Sequence, residues 1–202
     1  MTRGIAPTTL EGRFVTLEVL KLAHSAELRP LVGDSRIFAY LSVDLGAPGA
    51  LDRWVDQALE AMASGDQLVF VKRQHATGQL VGSTRYMNVV TQHRRVEIGW
   101  TWLTPSAWGG PINTEAKLLL LSHAFEALGA HRVEFRTDSR NLQSQAAIAA
   151  LGATREGVFR RHMVVKDGYV RDTVQFAIVD QDWSNIRPRL EARLATKALK
   201  PA

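Results

Sequence analysis

The chain has 202 residues, 46% hydrophobic and 22% charged, which is enough apolar material for one core and fits one domain or at most two small ones. It contains no cysteine, which excludes disulfides and a covalent thiol mechanism and suits a reducing, cytoplasmic setting. No apolar run is long enough to span a bilayer, and the opening MTRGIAPTTLEGR lacks the apolar centre of a secretion signal, so no membrane partner is expected. The formal charge of +5 reads as a solvated surface, the footprint of a phosphate-bearing ligand, or attraction to a polyanion.

In chain order, Leu10–Val19 reads as a strand with a turn at Glu11-Gly12, and Leu22–Val32 as an amphipathic helix whose last turn Pro30 threatens. Asp44–Ala50 carries Gly46, Pro48 and Gly49 and is a loop. Leu51–Ala63 sets Trp54, Ala58, Leu59 and Met62 on one helical face and stops at Ser64-Gly65. Gln67–Lys72 and Leu80–Val90 form a hairpin around His75–Gly78. His131–Thr137 is a strand with Val133, Phe135 and Thr137 inward, and Asn141–Leu151 is a short helix stopped by Gly152. Val158–Val165 and Val170–Val179 flank Lys166-Asp167-Gly168, a strong hairpin signal. The tail from Asp182 is charged and helical in pattern, with Ile186, Leu190 and Leu194 on one face, and is expected to be peripheral.

The stretch between these parts, Arg95–Ala116, organises the rest. Val96, Ile98, Trp100 and Trp102 alternate with Glu97, Gly99 and Thr101, so a half-buried strand is expected with the four apolar residues on one face. Pro105 ends it, and Trp108-Gly109-Gly110-Pro111 is irregular. Asn113 and Thr114 are good N-cap residues, with Glu115 in the first turn where the dipole favours an acid. Ala116, Leu119, Leu120, His123, Ala124, Ala127 and Leu128 follow at helical spacing before Gly129. A glycine-rich loop running into a helix N-terminus is either an anion site or an ordinary strand–loop–helix connection. The whole reads as an α+β fold of mixed layers, a mostly antiparallel sheet with helices against its faces, covering 1–202 as one domain with a core of about 10–183.

Several motifs in order resemble the GCN5-related N-acetyltransferase (GNAT) superfamily, nearest its ribosomal-protein N-acetyltransferase (RimJ/RimL-like) branch. They are Glu97-Ile98-Gly99-Trp100, Trp108-Gly109 to Asn113-Thr114-Glu115-Ala116, Asn141-x-x-Ser144, and Leu151-Gly152-Ala153-x-x-Glu156-Gly157. The resemblance implies acetyl transfer from acetyl-CoA to an amine, either a protein N-terminus or a small molecule, with no metal. It implies that the strands Val96–Leu103 and Arg132–Thr137 splay apart around the pantetheine arm, which pairs with strand backbone at Trp102 and Leu103. Pyrophosphate would lie on the N–H groups of Gly109, Gly110, Ile112, Asn113 and Thr114 beside Trp108, and Asn141 would bond the pantetheine. Relatives often dimerise, so a homodimer is implied. The family's loop usually has Arg or Gln, Gly, and Gly or Ala where this chain has Trp108, Pro111 and Asn113, and Pro111 has no N–H to offer. The frequent catalytic tyrosine is absent from Asn141–Gly152, and Ser144 matches the position some relatives use near the sulfur.

The residues also suggest a chemistry. An ammonium ion is no nucleophile, so an acceptor amine must lose a proton, and without cysteine direct attack in a ternary complex is favoured over an acyl-enzyme. Glu97 is the candidate base, or else a surface carboxylate paired with Arg94 or Arg95; Ser144 is the candidate proton donor to the thiolate, or else a helix residue bonding locally. A CoA-binding protein without turnover is the alternative function. His123 reads as a core residue and His162 as a packing residue. No His/Asp/Glu spacing suggests a metal site. Arg160, Arg161 and Lys166 form a basic patch on a hairpin with no nucleic-acid motif beside it, so it reads as a solvated face.

Overall fold

The computed structural model describes residues 5–199; Met1–Gly4 of the opening and residues 200–202 of the tail lie outside the described residues. Eight strands make one sheet: β1 (Leu10–Glu11), β2 (Val15–Val19), β3 (Leu68–Gln74), β4 (Leu80–Val90), β5 (Arg95–Leu103), β6 (Arg132–Asp138), β7 (Thr154–Val164) and β8 (Val170–Val179). Their order in space is β1-β2-β3-β4-β5-β6-β8-β7. All neighbours are antiparallel except β5 and β6, which run parallel and therefore need a crossover.

The helices are α1 (His24–Leu28), α2 (Ala50–Ala63), α3 (Ile112–Ser122), α4 (Leu142–Ala149) and α5 (Asp180–Ala198), and α3 is that crossover. The run Leu68-Val69-Phe70-Val71 is apolar throughout because β3 is covered on both faces. Leu68 and Phe70 join Leu120, Phe135, Ile148, Trp183 and Ile186 in one core, beneath α3, α4 and α5. Val69 and Val71 join Leu28, Phe38, Trp54 and Trp102 in a second, beneath α1 and α2. Mixed layers with helices on both faces are what the patterns predicted.

Several elements differ from the sequence-based expectation. The four-residue apolar alternation in β5 does not stay on one face. Ser83 lies opposite Trp102 and Arg85 opposite Gly99, so two steps on β4 face three on β5, a β-bulge. Trp100 takes the left-handed conformation at φ 49°, and the strand changes phase. Val96, Ile98 and Leu103 fill the first core while Trp102 fills the second. Helix α3 begins at Ile112, earlier than the Asn113–Thr114 cap expected, because Pro111 at φ −73°, ψ −24° already has helical geometry. The tail is not peripheral: Trp183, Ile186 and Leu190 are buried, and Trp183 stacks on Phe125 with centroids 5.3 Å apart. β7 also starts four residues before the expected Val158.

Glu115 ties the front of the sheet to the crossover helix. Its carboxylate, 4% exposed, accepts from the backbone N–H of Arg13 at 2.7 Å, Phe14 at 2.6 Å and Val15 at 2.9 Å. Gly12 permits this approach, since a Cβ there would sit 2.5 Å from Glu115 Cδ. The sequence explains this acid by the helix dipole; the fold uses it to satisfy three donors of a distant turn. Glu115→Ala leaves those donors without their acceptor and is expected to lower stability by about 1–3 kcal/mol. Urea unfolding of the two proteins measures it, and an unchanged midpoint would show that the turn finds other acceptors.

Candidate functional site

The ladder between β5 and β6 is short. Arg95, Val96 and Glu97 pair with Arg132, Val133 and Glu134, and no pairing follows. Beyond it the strands part, and Gly99–Leu103 and Phe135–Asp138 line opposite sides of a cleft. The N-terminal end of α3, the start of α4 and the segment Arg36–Leu41 close its ends. The bulge holds the strands apart. On β4, Arg85 lies between the rings of Trp54 and Trp100, 5.1 and 5.0 Å from their centroids, and bonds Gln67 at 2.7 Å. Burial lowers its pKa to about 10, still charged at neutral pH. The stacked guanidinium packs against the Trp100 side chain at the bulge.

Of the residues expected at the site, Trp102, Leu103, Trp108, Asn113, Asn141 and Ser144 line this one cleft. Trp108 stands at its rim, 42% exposed, with its indole N–H on the Leu103 carbonyl at 2.9 Å. Gly109 and Gly110 form the loop behind it, with Gly109 at φ 74°. Ile112 and Thr114 are buried and do not line the cleft with their side chains. Their contribution is backbone: α3 has no side-chain cap, so the first-turn N–H groups of Ile112, Asn113 and Thr114 have no partner within the helix. Those N–H groups and the helix dipole give the cleft a positively polarised end. Asn141 Oδ1 caps α4 by accepting from Ser144 N at 2.9 Å, which leaves the amide NH₂ as a donor toward the cleft.

Glu97 is neither on the surface nor paired with Arg94 or Arg95. It is 5% exposed, accepts from Asn88 Nδ2 at 2.7 Å, and lies 3.4 Å from Arg136. Burial pushes its carboxyl above the ordinary range, against the pull of Arg136 and the Asn88 amide. It sits behind the cleft wall next to Gly99, where a Cβ would come within 3.2 Å of Glu97 Oε1. Arg95 turns instead to Glu134. Lys166 of the basic patch also departs from a purely solvated role, donating to the Phe38 carbonyl at 2.8 Å and so tying the β7–β8 hairpin to the cleft's end segment.

The sequence reading missed Lys117, Arg36, Tyr40, Arg136 and Arg171, all of which line the cleft. Lys117 left a trace: it lies one turn after Asn113, directly ahead of the apolar run Leu118–Leu121. Its Nζ donates to Thr101 Oγ1 at 2.7 Å on β5 and lies 5.7 Å from the Phe135 ring on β6, so the amine bridges the parted strands from beneath. Burial lowers its pKa to about 7. Asn113 Oδ1 beside it is buried without a partner, a free acceptor at the cleft floor. The arginines and Tyr40 are distant in sequence and left no pattern. Among the described residues no group of three His, Cys, Asp or Glu is placed to hold a metal, and no helix is long and apolar enough to cross a membrane.

The lysine has a measurable cost. Lys117 is charged in the unfolded chain up to about pH 10.5 but loses its proton near 7 when folded, so the unfolded state binds more protons across that window. Stability should therefore rise with pH there, Lys117 contributing up to about 1.4 kcal/mol per pH unit. Lys117→Met is expected to be more stable than the parent at pH 7 and to show a flatter rise toward pH 10. Urea midpoints across that range test it, and parallel curves would place the lysine's proton in the folded state.

A family model described as an acetyltransferase (GNAT) domain matches residues 15–154. The crystal structure of a GCN5-related N-acetyltransferase from Brucella melitensis is 31% identical, with a TM-score of 0.88 over 95% of this chain and 87% of that one. Mycobacterium smegmatis RimJ, solved in complex with CoA-disulfide, is 26% identical, with a TM-score of 0.80 over 95% of this chain and 96% of its own. The uncharacterized N-acetyltransferase YoaA of Bacillus subtilis is 30% identical over 103 residues, a match spanning 51% of this chain and only 57% of that relative. With a matched model covering more than half its length and its parallel strands parting around a cleft, the chain belongs to the GNAT acetyltransferase domain family.

Proposed function

We propose that the chain is an acetyl-CoA-dependent N-acetyltransferase of the RimJ/RimL-like kind, acting on a primary amine by direct attack in a ternary complex. The observation that carries this reading is the separation of β5 from β6 after three residue pairs, with an uncapped helix end at one side of the gap and a buried carboxylate at the other. The parted strands offer unpaired backbone groups to the amides of a pantetheine arm. The N–H groups of Ile112–Thr114 suit a pyrophosphate, and Pro111, which has no N–H, stands just outside that turn. The free Asn113 Oδ1 and the Asn141 NH₂ add one acceptor and one donor along the same path. RimJ's complex with CoA-disulfide is in keeping with this choice of ligand.

The residues then divide the chemistry. Glu97, held above the usual carboxylate range by burial, takes the proton from the acceptor ammonium, directly or through a water passing Gly99. The amine nitrogen bonds to the acetyl carbon and the carbon–sulfur bond breaks. Ser144, which lines the cleft at the start of α4, gives the departing thiolate its proton. A backbone N–H of the bulged strand stabilises the developing oxyanion.

Acetyl-CoA at 100 times its dissociation constant should add about 2.7 kcal/mol of stability, read as a raised melting temperature. Released thiol with an accepted amine completes the test: binding without release from a broad amine panel would mark a CoA-binding protein, and no binding at millimolar acetyl-CoA would remove the reading. Glu97→Gln is expected to lower kcat by about 10²–10⁴-fold and to abolish the acidic limb of the rate–pH profile, while acetyl-CoA affinity holds. An unaltered profile would assign Glu97 to structure.

A further inference from the structure

The cleft wall beyond Glu97 carries more positive than negative charge, and one of its arginines, among the described residues, forms no ion pair. On and beside β6 the acids and bases of this wall satisfy one another: Arg136 lies 3.4 Å from Glu97 on β5 and 3.3 Å from Glu134, and Arg140, just past the strand, lies 2.8 Å from Asp138. At the rim, Arg36 is held by Asp34 at 2.6 Å. Arg171 is different. It sits at the start of β8, where Asp138 pairs with Thr173 and Arg136 with Gln175, and it lines the same cleft. Its Nε donates to Thr173 Oγ1 at 2.9 Å, which fixes the plane of the fork. Among the described residues no carboxylate lies within ion-pair distance of it. Burial lowers its pKa, yet a guanidinium stays charged at any physiological pH. The carboxylates of Asp138 and, more weakly, Glu97 act on its charge from the same wall without touching it.

A partly buried cation without a partner is costly for a fold unless something that binds supplies the missing charge. A planar guanidinium with its Nε already anchored presents its two terminal nitrogens together, the geometry that meets a carboxylate through two parallel hydrogen bonds. The acids of the wall are engaged by Arg136 and Arg140, so a polyamine or aminoglycoside finds no uncommitted acid there, whereas an amine that also carries a carboxylate finds both a base and an unpaired fork on this wall. We propose that Arg171 anchors a carboxylate subsite and that the acceptor is a small amine bearing a carboxylate close to its nitrogen, an amino acid or an amino-acid-like compound. This rests on the acetyltransferase reading: the amine faces Glu97, the carboxylate faces Arg171, and the amide product keeps its carboxylate on the fork.

The test uses the whole protein, acetyl-CoA and a thiol-release assay with matched acceptors: free amino acids, the same amino acids as carboxamides, a polyamine, and a short peptide with a free N-terminus. The free acids are expected to exceed their carboxamides in kcat/KM by roughly 10- to 100-fold, the worth of a charge-assisted pair of hydrogen bonds. The difference should lie in the acceptor's KM. Arg171→Gln should bring the acid-to-amide ratio close to one, and Arg171→Lys should leave an intermediate ratio, because a point charge replaces the fork. Calorimetry with acetyl-CoA on each variant shows whether the cofactor end remains formed. The carboxylate subsite is overturned, with the acetyltransferase reading intact, if the carboxamides, the polyamine or the peptide serve as well as the acids. It is also overturned if Arg171→Gln slows acids and amides alike, the mark of a structural role. Failure of the parent protein to bind acetyl-CoA overturns both.

Discussion

Two neighbouring strands that stop pairing in the middle of a sheet break the rule that backbone donors and acceptors are satisfied internally. In this chain the break is enforced: an extra residue in β5 opposite Ser83–Arg85 turns Trp100 into a left-handed conformation and re-aims the rest of the strand. Gly82 accommodates the displaced chain, for a Cβ there would lie 2.1 Å from the Trp102 carbonyl oxygen. Arg85, stacked between Trp54 and Trp100, locks the bulge from the other layer. The cleft, the exposed end of α3 and the neighbourhood of Glu97 all follow from this one irregularity.

Opening the sheet places unusual demands on its surroundings. The crossover helix supplies both an uncapped N-terminal end and an anchor within four residues. Ile112–Thr114 present free N–H groups, while Glu115 turns the other way to hold the β1–β2 turn. One turn on, Lys117 reaches into the gap, and Lys72, fully buried on β3, feels its charge; burial holds both amines below the ordinary lysine range. Two buried amines near one another are a poor choice for stability alone.

Electrostatics grades the cleft from end to end. The loop end has helix-dipole charge and Arg36, paired with Asp34, beside Trp108 at 5.9 Å from its ring centroid. The opposite end has a buried carboxylate of raised pKa among arginines. A modest overall charge of +5 thus has a local meaning that the total could not convey. The aromatic and aliphatic floor between the two ends, Trp102, Phe135 and Ile148, separates them with low-dielectric material, so charges at either end act more strongly than in water.

What the sequence by itself determined is whatever depends on short-range periodicity and turn chemistry. The alternation of β6, the glycine stops at Gly129 and Gly152, the Lys166-Asp167-Gly168 turn and the Asn141 cap of α4 are all local, and all appear where the residues predict them. The ordered motifs from Glu97 to Gly157 carried the family, because loop and helix residues bring their spacing with them. Tertiary structure decided what distant partners impose. The phase change in β5 depends on its register with β4. The burial of Glu97 and its choice of Arg136 over Arg94 or Arg95 depend on which side of a parted sheet it faces. The tail docks because Trp183 finds Phe125 across the first core. Arg36, Tyr40, Lys117, Arg136 and Arg171 share one cleft although they span 135 positions of the chain, and no local pattern links them. Pairing across a sheet and packing between layers are long-range, so the residues that complete this site are set by the fold rather than by their neighbours in sequence.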